Sequence, residues 1–270
     1  MIKIFLKYYE KKKLLFPDVY VGKITIVILL ATILIFAFII GWFNYTVLQS
    51  EIYKPIHQPL NVFSSIVYLL VAIIILSENF KKINFKSNIQ NKENLIHKIS
   101  FALVLIYIFI ASSLYHSLLT KNTLKIDYSA VYFFSLFPVM YFIYQWITSN
   151  NYFTKQNSIV LCYTIYLSTC ILLSMYSPVG KEELVTFACI VIFFGIAAFF
   201  FKQRRTNFKY VFISICCIVI GIFWFKIDKY LALNYPNNYF RTHSLWNLFI
   251  GFSGFYFYIF IRDQDIKIMN

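Results

Sequence analysis

The sequence predicts an all-α integral membrane protein, and three features lead to that prediction. Hydrophobic residues make up 60% of the 270 residues and charged residues only 13%, and the mean hydropathy is +0.68. Soluble domains usually carry about a quarter charged residues, so a soluble enzyme, a disordered chain and a DNA-binding module are excluded. The apolar residues are grouped in runs of about 20, the helix length that crosses a bilayer.

Eight apolar runs are predicted to form membrane-spanning helices. The first, 24–45, follows a basic segment, 1–23, that lacks a signal-peptide cleavage site. We therefore expect a retained span preceded by a segment that lies along the lipid headgroups. Pro138 is expected to kink the fourth span. The other predicted spans are 60–77, 99–119, 126–147, 157–176, 184–201, 209–225 and 243–261.

The distribution of positive charge predicts that both termini are cytoplasmic. If the eight spans alternate, 18 of the 25 Lys and Arg residues lie on the side of the termini, and cytoplasmic loops are enriched in these residues. The net charge of +14 is therefore assigned to membrane topology, and no nucleic-acid partner is expected. The frequent use of Ile, Lys, Asn and Phe is typical of an AT-rich bacterial genome, which favours a bacterial inner membrane.

Five polar residues near the ends of the spans form a candidate site. An ionisable side chain is costly within a membrane, so each one there is a functional candidate. Ser112 and His116 are four residues apart and therefore share a helix face. The same holds for His243 and Asn247. Asp127 opens the span that follows His116. The predicted topology places all five near the exoplasmic face.

Histidine, carboxylate and serine side chains together favour a catalytic metal site. Neutral imidazole binds Zn²⁺, and an open catalytic zinc site has three protein ligands and a water. Bound zinc lowers the pKa of that water to about 7. A carboxylate can then accept the proton, and a hydroxyl can stabilise an oxyanion. A third histidine is the ligand that this set lacks.

Each of these residues also has an ordinary structural interpretation. Ser112 is typical of a helix-packing serine bonded to its own backbone. Asp127 could cap the fourth span. His243 could be an interfacial histidine, and Asn247 could join two helices by hydrogen bonds.

Three motifs, in order along the chain, resemble those of a known family. Residues 58–65 read Gln-Pro-Leu-Asn-Val-Phe-Ser-Ser, similar to Gln-Pro-x-Asn-Thr-x-Ser-Asn. Ser112 and His116, with Asp127 eleven residues later, match the second motif in full. Residues 243–247 read His-Ser-Leu-Trp-Asn where the pattern is His-x-x-x-His. The sequence thus resembles the alkaline ceramidases and their wider membrane-hydrolase superfamily, which includes the adiponectin-receptor group.

The resemblance covers about 51–262 and implies a seven-helix ceramidase-like transmembrane bundle. Residues 24–45 are then an extra N-terminal span, eight in total, and 263–270 a cytoplasmic tail. The implied function is zinc-dependent hydrolysis of the amide bond of a ceramide-like or related acyl lipid. Membrane lipids would surround the protein, and one of them would be its substrate or ligand.

The resemblance implies that His116 and His243 bind zinc. It also implies two catalytic residues: Asp127, which helps to activate the water, and Ser112, which assists at the oxyanion. Asn247 stands in place of the third zinc histidine and would be a weak ligand, because its carboxamide oxygen is hard and neutral.

The replacement at 247 leaves three outcomes open: a weakened site, rescue by another ligand such as His57, or loss of the metal. The alternative function is therefore a catalytically inactive descendant that binds or senses lipid, or scaffolds a protein partner.

Overall fold

The computed structural model describes residues 58–83, 90–150, 152–176, 208–234 and 242–268, together with residue 192. Six α-helices and no strand are present within these ranges. The helices are α1 Pro59–Ile83, α2 Gln90–Leu118, α3 Lys121–Ser149, α4 Lys155–Tyr176, α5 Lys209–Asn234 and α6 His243–Ile268.

Each of the six helices is long and apolar enough to cross a membrane. The described residues therefore confirm the predicted helical class, and the length and composition of the helices agree with a membrane protein. The apolar parts are Pro59–Asn79, Asn94–Leu118, Lys121–Ser149, Lys155–Tyr176, Lys209–Leu231 and His243–Gln264. The predicted span 24–45 and the segment 1–23 lie outside the described residues, and only residue 192 of the predicted span 184–201 is described. The counts of seven and eight helices therefore stay predictions.

Five helices extend well beyond the apolar runs that predicted them. α2 begins at Gln90 and not at 99, and α3 begins at Lys121 and not at 126. α1 continues to Ile83 and not to 77, α5 to Asn234 and not to 225, and α6 to Ile268 and not to 261. Polar residues at the membrane boundary keep the helical hydrogen bonds although they end the apolar window. Hydropathy therefore underestimates helix length at the boundary.

The start of α3 excludes the interpretation of Asp127 as the N-cap of this helix. Thr120 caps this helix, because its hydroxyl accepts from the Thr123 backbone N–H while the Thr123 side chain bonds back to the Thr120 N–H. Asp127 lies two turns inside the helix and is therefore not its N-cap. Pro138 lies within α3, which is continuous from Lys121 to Ser149.

α6 is the central helix among those described. In its apolar window, 78% of the residues are buried, against 22% in α4. α6 packs against α1, α2 and α5, whereas α4 packs mainly on α3. Gly251 allows α1 to approach closely, since a Cβ there would lie 2.6 Å from Cγ1 of Val67. Small residues at such crossings are typical of membrane helix packing.

The ends of three helices meet at one side of this packing. His116 lies in the last turn of α2, and His243 is the first residue of α6. Gln58 directly precedes α1, and its backbone N–H donates to the His116 carbonyl over 3.0 Å. The N-terminal ends of α1 and α6 and the C-terminal end of α2 therefore form the candidate site.

Candidate metal and lipid site

Two imidazoles face each other at the centre of the site. Nε2 of His116 lies 3.2 Å from Nε2 of His243, and the ring centroids are 4.7 Å apart at an interplanar angle of 65°. Two nitrogen ligands of a tetrahedral zinc ion, each at 2.0–2.1 Å, are separated by about 3.3 Å. The observed distance therefore fits a shared metal ion as well as a direct N–H···N bond.

The other ring nitrogen of His116 contacts a side-chain carboxamide. Nδ1 lies 2.7 Å from Oε1 of Gln58, and the same oxygen accepts from Nδ2 of Asn61 over 2.9 Å. A metal-binding histidine usually donates its second ring N–H to an oxygen acceptor, which fixes the ring and its tautomer. Gln58 occupies that position for His116.

Asp228 lies on the outer side of the His243 ring. Its Oδ2 is 4.0 Å from Nδ1 of His243, too long for a direct hydrogen bond. Asp228 therefore makes only an electrostatic contact with Nδ1, on the edge of the ring that faces away from His116. Phe225, on the same helix as Asp228, packs its ring 5.6 Å from the imidazole centroid.

Asn247 connects α6 to α1 through three hydrogen bonds. Its Nδ2 donates to Oγ of Ser64 over 2.9 Å and to the Asn61 carbonyl over 3.2 Å. Its Oδ1 accepts from the Tyr68 hydroxyl over 3.2 Å. The residue is only 1% exposed. The oxygen that would serve as a weak metal ligand thus already receives one hydrogen bond.

Two candidate catalytic residues, Ser112 and Asp127, make no bond to the imidazole pair. Ser112 is buried on α2, one turn before His116. Asp127 is partly exposed, and its carboxylate interacts electrostatically with the hydroxyls of Tyr68 and Tyr115. In the described part of the chain, neither side chain hydrogen-bonds to the two imidazoles.

The residues present supply two of the three ligands expected of a zinc site. Within the described ranges, no group of three or more His, Cys, Asp and Glu side chains is arranged to hold a metal ion. His116 and His243 fit zinc by distance and ring chemistry. Of the two third ligands that the sequence offers, Asn247 is hydrogen-bonded to Tyr68 and His57 lies outside these ranges.

A small cavity of about 40 Å³ lies between the helices and is lined in part by a residue of the site's hydrogen-bond network. Most of its lining is apolar, for example Phe101, Phe134 and Ile250. Tyr68 also lines it, and the same hydroxyl donates to Asn247. The cavity therefore adjoins the hydrogen-bond network around the imidazole pair. Besides Tyr68, three serines add hydroxyl groups to the lining: Ser135, Ser214 and Ser253.

Sequence reasoning missed two residues of this site. Asp228 was assigned to a loop because the predicted span ended at 225. A carboxylate directly after an apolar run, in Lys-Ile-Asp-Lys, was the available signal. Tyr68 follows Ser64 by four residues and so shares its helix face, but its partner Asn247 is distant in sequence and no local pattern reveals it.

Comparison with models of protein families and with curated proteins gives no match for this chain.

Proposed function

We propose that this chain is an integral-membrane, zinc-dependent hydrolase that cleaves the amide bond of a ceramide-like or related acyl lipid. The observation that carries the proposal is the 3.2 Å separation of the two Nε2 atoms, with Nδ1 of His116 held against an oxygen acceptor. Adjacent imidazoles at the end of an apolar bundle are costly. A shared ion would offset that cost.

The roles proposed for the other residues are those that the motif resemblance implies. Zinc held by His116 and His243 would lower the pKa of a bound water to about 7. Asp127 would accept the proton of that water, and Ser112 would donate to the substrate carbonyl oxygen as negative charge develops on it. Asn247 would be the weak third ligand.

The cavity supports an acyl lipid as the substrate class. Its apolar lining suits the end of a hydrocarbon chain, and Tyr68 connects it to the polar network. With a volume of about 40 Å³ the cavity has room for about three water-sized groups, so seating a full acyl chain would require the lining helices to move apart. We further propose that the site faces the exoplasmic side of a bacterial inner membrane, with both termini cytoplasmic.

A second function is favoured by one specific observation. The Asn247 carboxamide is engaged by Tyr68, Ser64 and the Asn61 backbone. In that role it closes α6 against α1 and needs no metal. The second proposal is therefore a catalytically inactive protein that binds or senses lipid in the cavity, or scaffolds a partner.

Metal content and lipid turnover of the purified protein distinguish the two functions. If the protein is the proposed hydrolase, we expect about one zinc per chain and release of fatty acid from at least one member of a ceramide panel. His116→Ala should abolish both. His97→Gln is the matched control, because it removes an imidazole near the opposite end of the same helix. A folded protein with neither zinc nor turnover would contradict the hydrolase and support the second function.

Asn247→His provides a test in the opposite direction. A third imidazole at this position should raise zinc affinity at least about tenfold if the site is a metal site. Competition with a fluorescent chelator measures the affinity. An unchanged affinity in a folded variant would count against zinc binding by His116 and His243.

A further inference from the structure

We infer that Gln58 is a positioning residue that holds His116 in the Nδ1–H tautomer, with the lone pair of Nε2 directed at His243. The inference rests on the proposed function for its catalytic consequence, but the tautomer itself is a property of the metal-free protein. Neither the three-ligand pattern nor the Ser112–Asp127 chemistry assigns a role to Gln58.

The first step is the short contact at Nδ1. Oε1 of Gln58 lies 2.7 Å away, whereas Nδ2 of Asn61 lies 3.4 Å away. An unprotonated Nδ1 would place its lone pair against the Gln58 oxygen at hydrogen-bond distance, which is repulsive. With the Gln58 oxygen facing the ring, the shorter contact therefore requires a proton on Nδ1 that is donated to Gln58.

The second step is the orientation of the Gln58 carboxamide. In the structure, Asn61 donates to Oε1 over 2.9 Å, and the Gln58 oxygen, not its amide nitrogen, faces the imidazole; the orientation of one carboxamide fixes that of the other. The main chain fixes the position, because the Gln58 N–H donates to the His116 carbonyl. Gln58 thus contacts His116 through its backbone and its side chain, which leaves the ring little freedom to turn.

The third step concerns the remaining nitrogen. A neutral imidazole protonated at Nδ1 has an unprotonated Nε2, and that atom faces His243 at 3.2 Å. This is the form of histidine that binds a metal through Nε2. In the absence of metal, Nε2 accepts a hydrogen bond from His243. Gln58 therefore prepares His116 for metal binding before any ion arrives.

The competing arrangement reverses both carboxamides. Gln58 would then donate its amide N–H to Nδ1, and His116 would carry its proton on Nε2. The two arrangements have the same heavy-atom positions but opposite tautomers. The nitrogen chemical shifts of the ring distinguish them directly.

The test is nitrogen-15 NMR of the full chain, labelled at histidine and treated with chelator, at a pH where imidazole is neutral. The chain has four histidines, and loss of signals in His116→Gln assigns the relevant pair. We expect Nδ1–H in the wild type and in Gln58→Glu, which keeps the acceptor. Gln58→Leu should lose the preference, and Gln156→Leu, an exposed glutamine on α4, should not.

Zinc affinity supplies the second measurement. Gln58→Leu should weaken zinc binding about 10–100-fold, as expected for loss of a group that orients a ligand. Gln58→Glu should retain at least the wild-type affinity. A purely structural role for Gln58 would predict that both substitutions disturb binding alike. If Gln58→Leu fails to fold, the wild-type tautomer and the Gln58→Glu variant still decide the outcome.

The outcomes separate this inference from the proposed function. An Nε2–H tautomer in the wild type, or an Nδ1–H tautomer that persists in Gln58→Leu, overturns the inference. Zinc binding that Gln58→Leu leaves unchanged also overturns it, while the hydrolase proposal survives. A Gln58-dependent Nδ1–H tautomer in a protein that neither binds zinc nor cleaves ceramide supports the tautomer assignment and refutes the hydrolase.

Discussion

Asn247→Ala should destabilise the protein by an amount that the structure allows to be estimated. The substitution removes three hydrogen bonds at a buried position, those to Ser64, to the Asn61 carbonyl and from Tyr68. Hydrogen bonds between membrane helices contribute about 0.6 kcal/mol each, less than in water, because the unfolded chain in the bilayer also finds partners. The expected loss in the free energy of unfolding is therefore about 2 kcal/mol.

Steric trapping in lipid bicelles measures that free energy for a membrane protein. Asn157→Ala, at an exposed position on α4, is the matched control and should change it by no more than about 0.5 kcal/mol. A cycle that combines Asn247→Ala with Tyr68→Phe should give a coupling near 0.6 kcal/mol. Equal stability of Asn247→Ala and the control, or a coupling of zero, would refute the assignment of Asn247 as the connection between α1 and α6.

Three further substitutions test the packing that surrounds the site. Leu119→Gly should raise the free energy of unfolding by about 1 kcal/mol. Leu119 has a φ of 50°, in the left-handed region where a side chain is strained. Thermal unfolding of the variant and the wild type checks this. Gly251→Ala should cost about 1–3 kcal/mol by overpacking, and Val67→Ala in the same chain should recover part of the loss if the 2.6 Å approach is its cause. Tyr166→Phe removes the 2.6 Å bond to the Phe133 carbonyl and should lower the free energy of unfolding by about 0.6 kcal/mol. Steric trapping measures this, and an unchanged value would show that the bond does not hold α4 against α3.

The helical class and the approximate places of six spans could be predicted from the sequence, because a bilayer selects for apolar length. The ends could not, since hydropathy reports the apolar segment and not the helix. α5 illustrates the difference: its extension to Asn234 places Asp228 on a helix beside His243. A prediction that ends the span at 225 has no reason to connect these two residues.

For the candidate site, spacing predicted that His116 and His243 lie at the same end of the bundle, and the structure brings their rings together. Motif similarity also drew attention to the segment that holds Gln58 and Asn61. The partner of Asn247 could not be predicted, because Tyr68 is 179 residues away in sequence. Such a contact depends on how α1 and α6 cross, which no local pattern of a single sequence records.

The position of His243 as the first residue of an enclosed helix has a mechanical consequence. An imidazole on a surface loop can be moved by rearranging a few backbone dihedral angles. Here, a shift of the ring along the membrane normal would carry α6 past its neighbours, and one residue of register corresponds to about 1.5 Å of travel and a rotation of about 100°. The depth of this side chain in the bilayer is therefore set by the interlocking of an entire helix, which gives it the positional precision of the protein core.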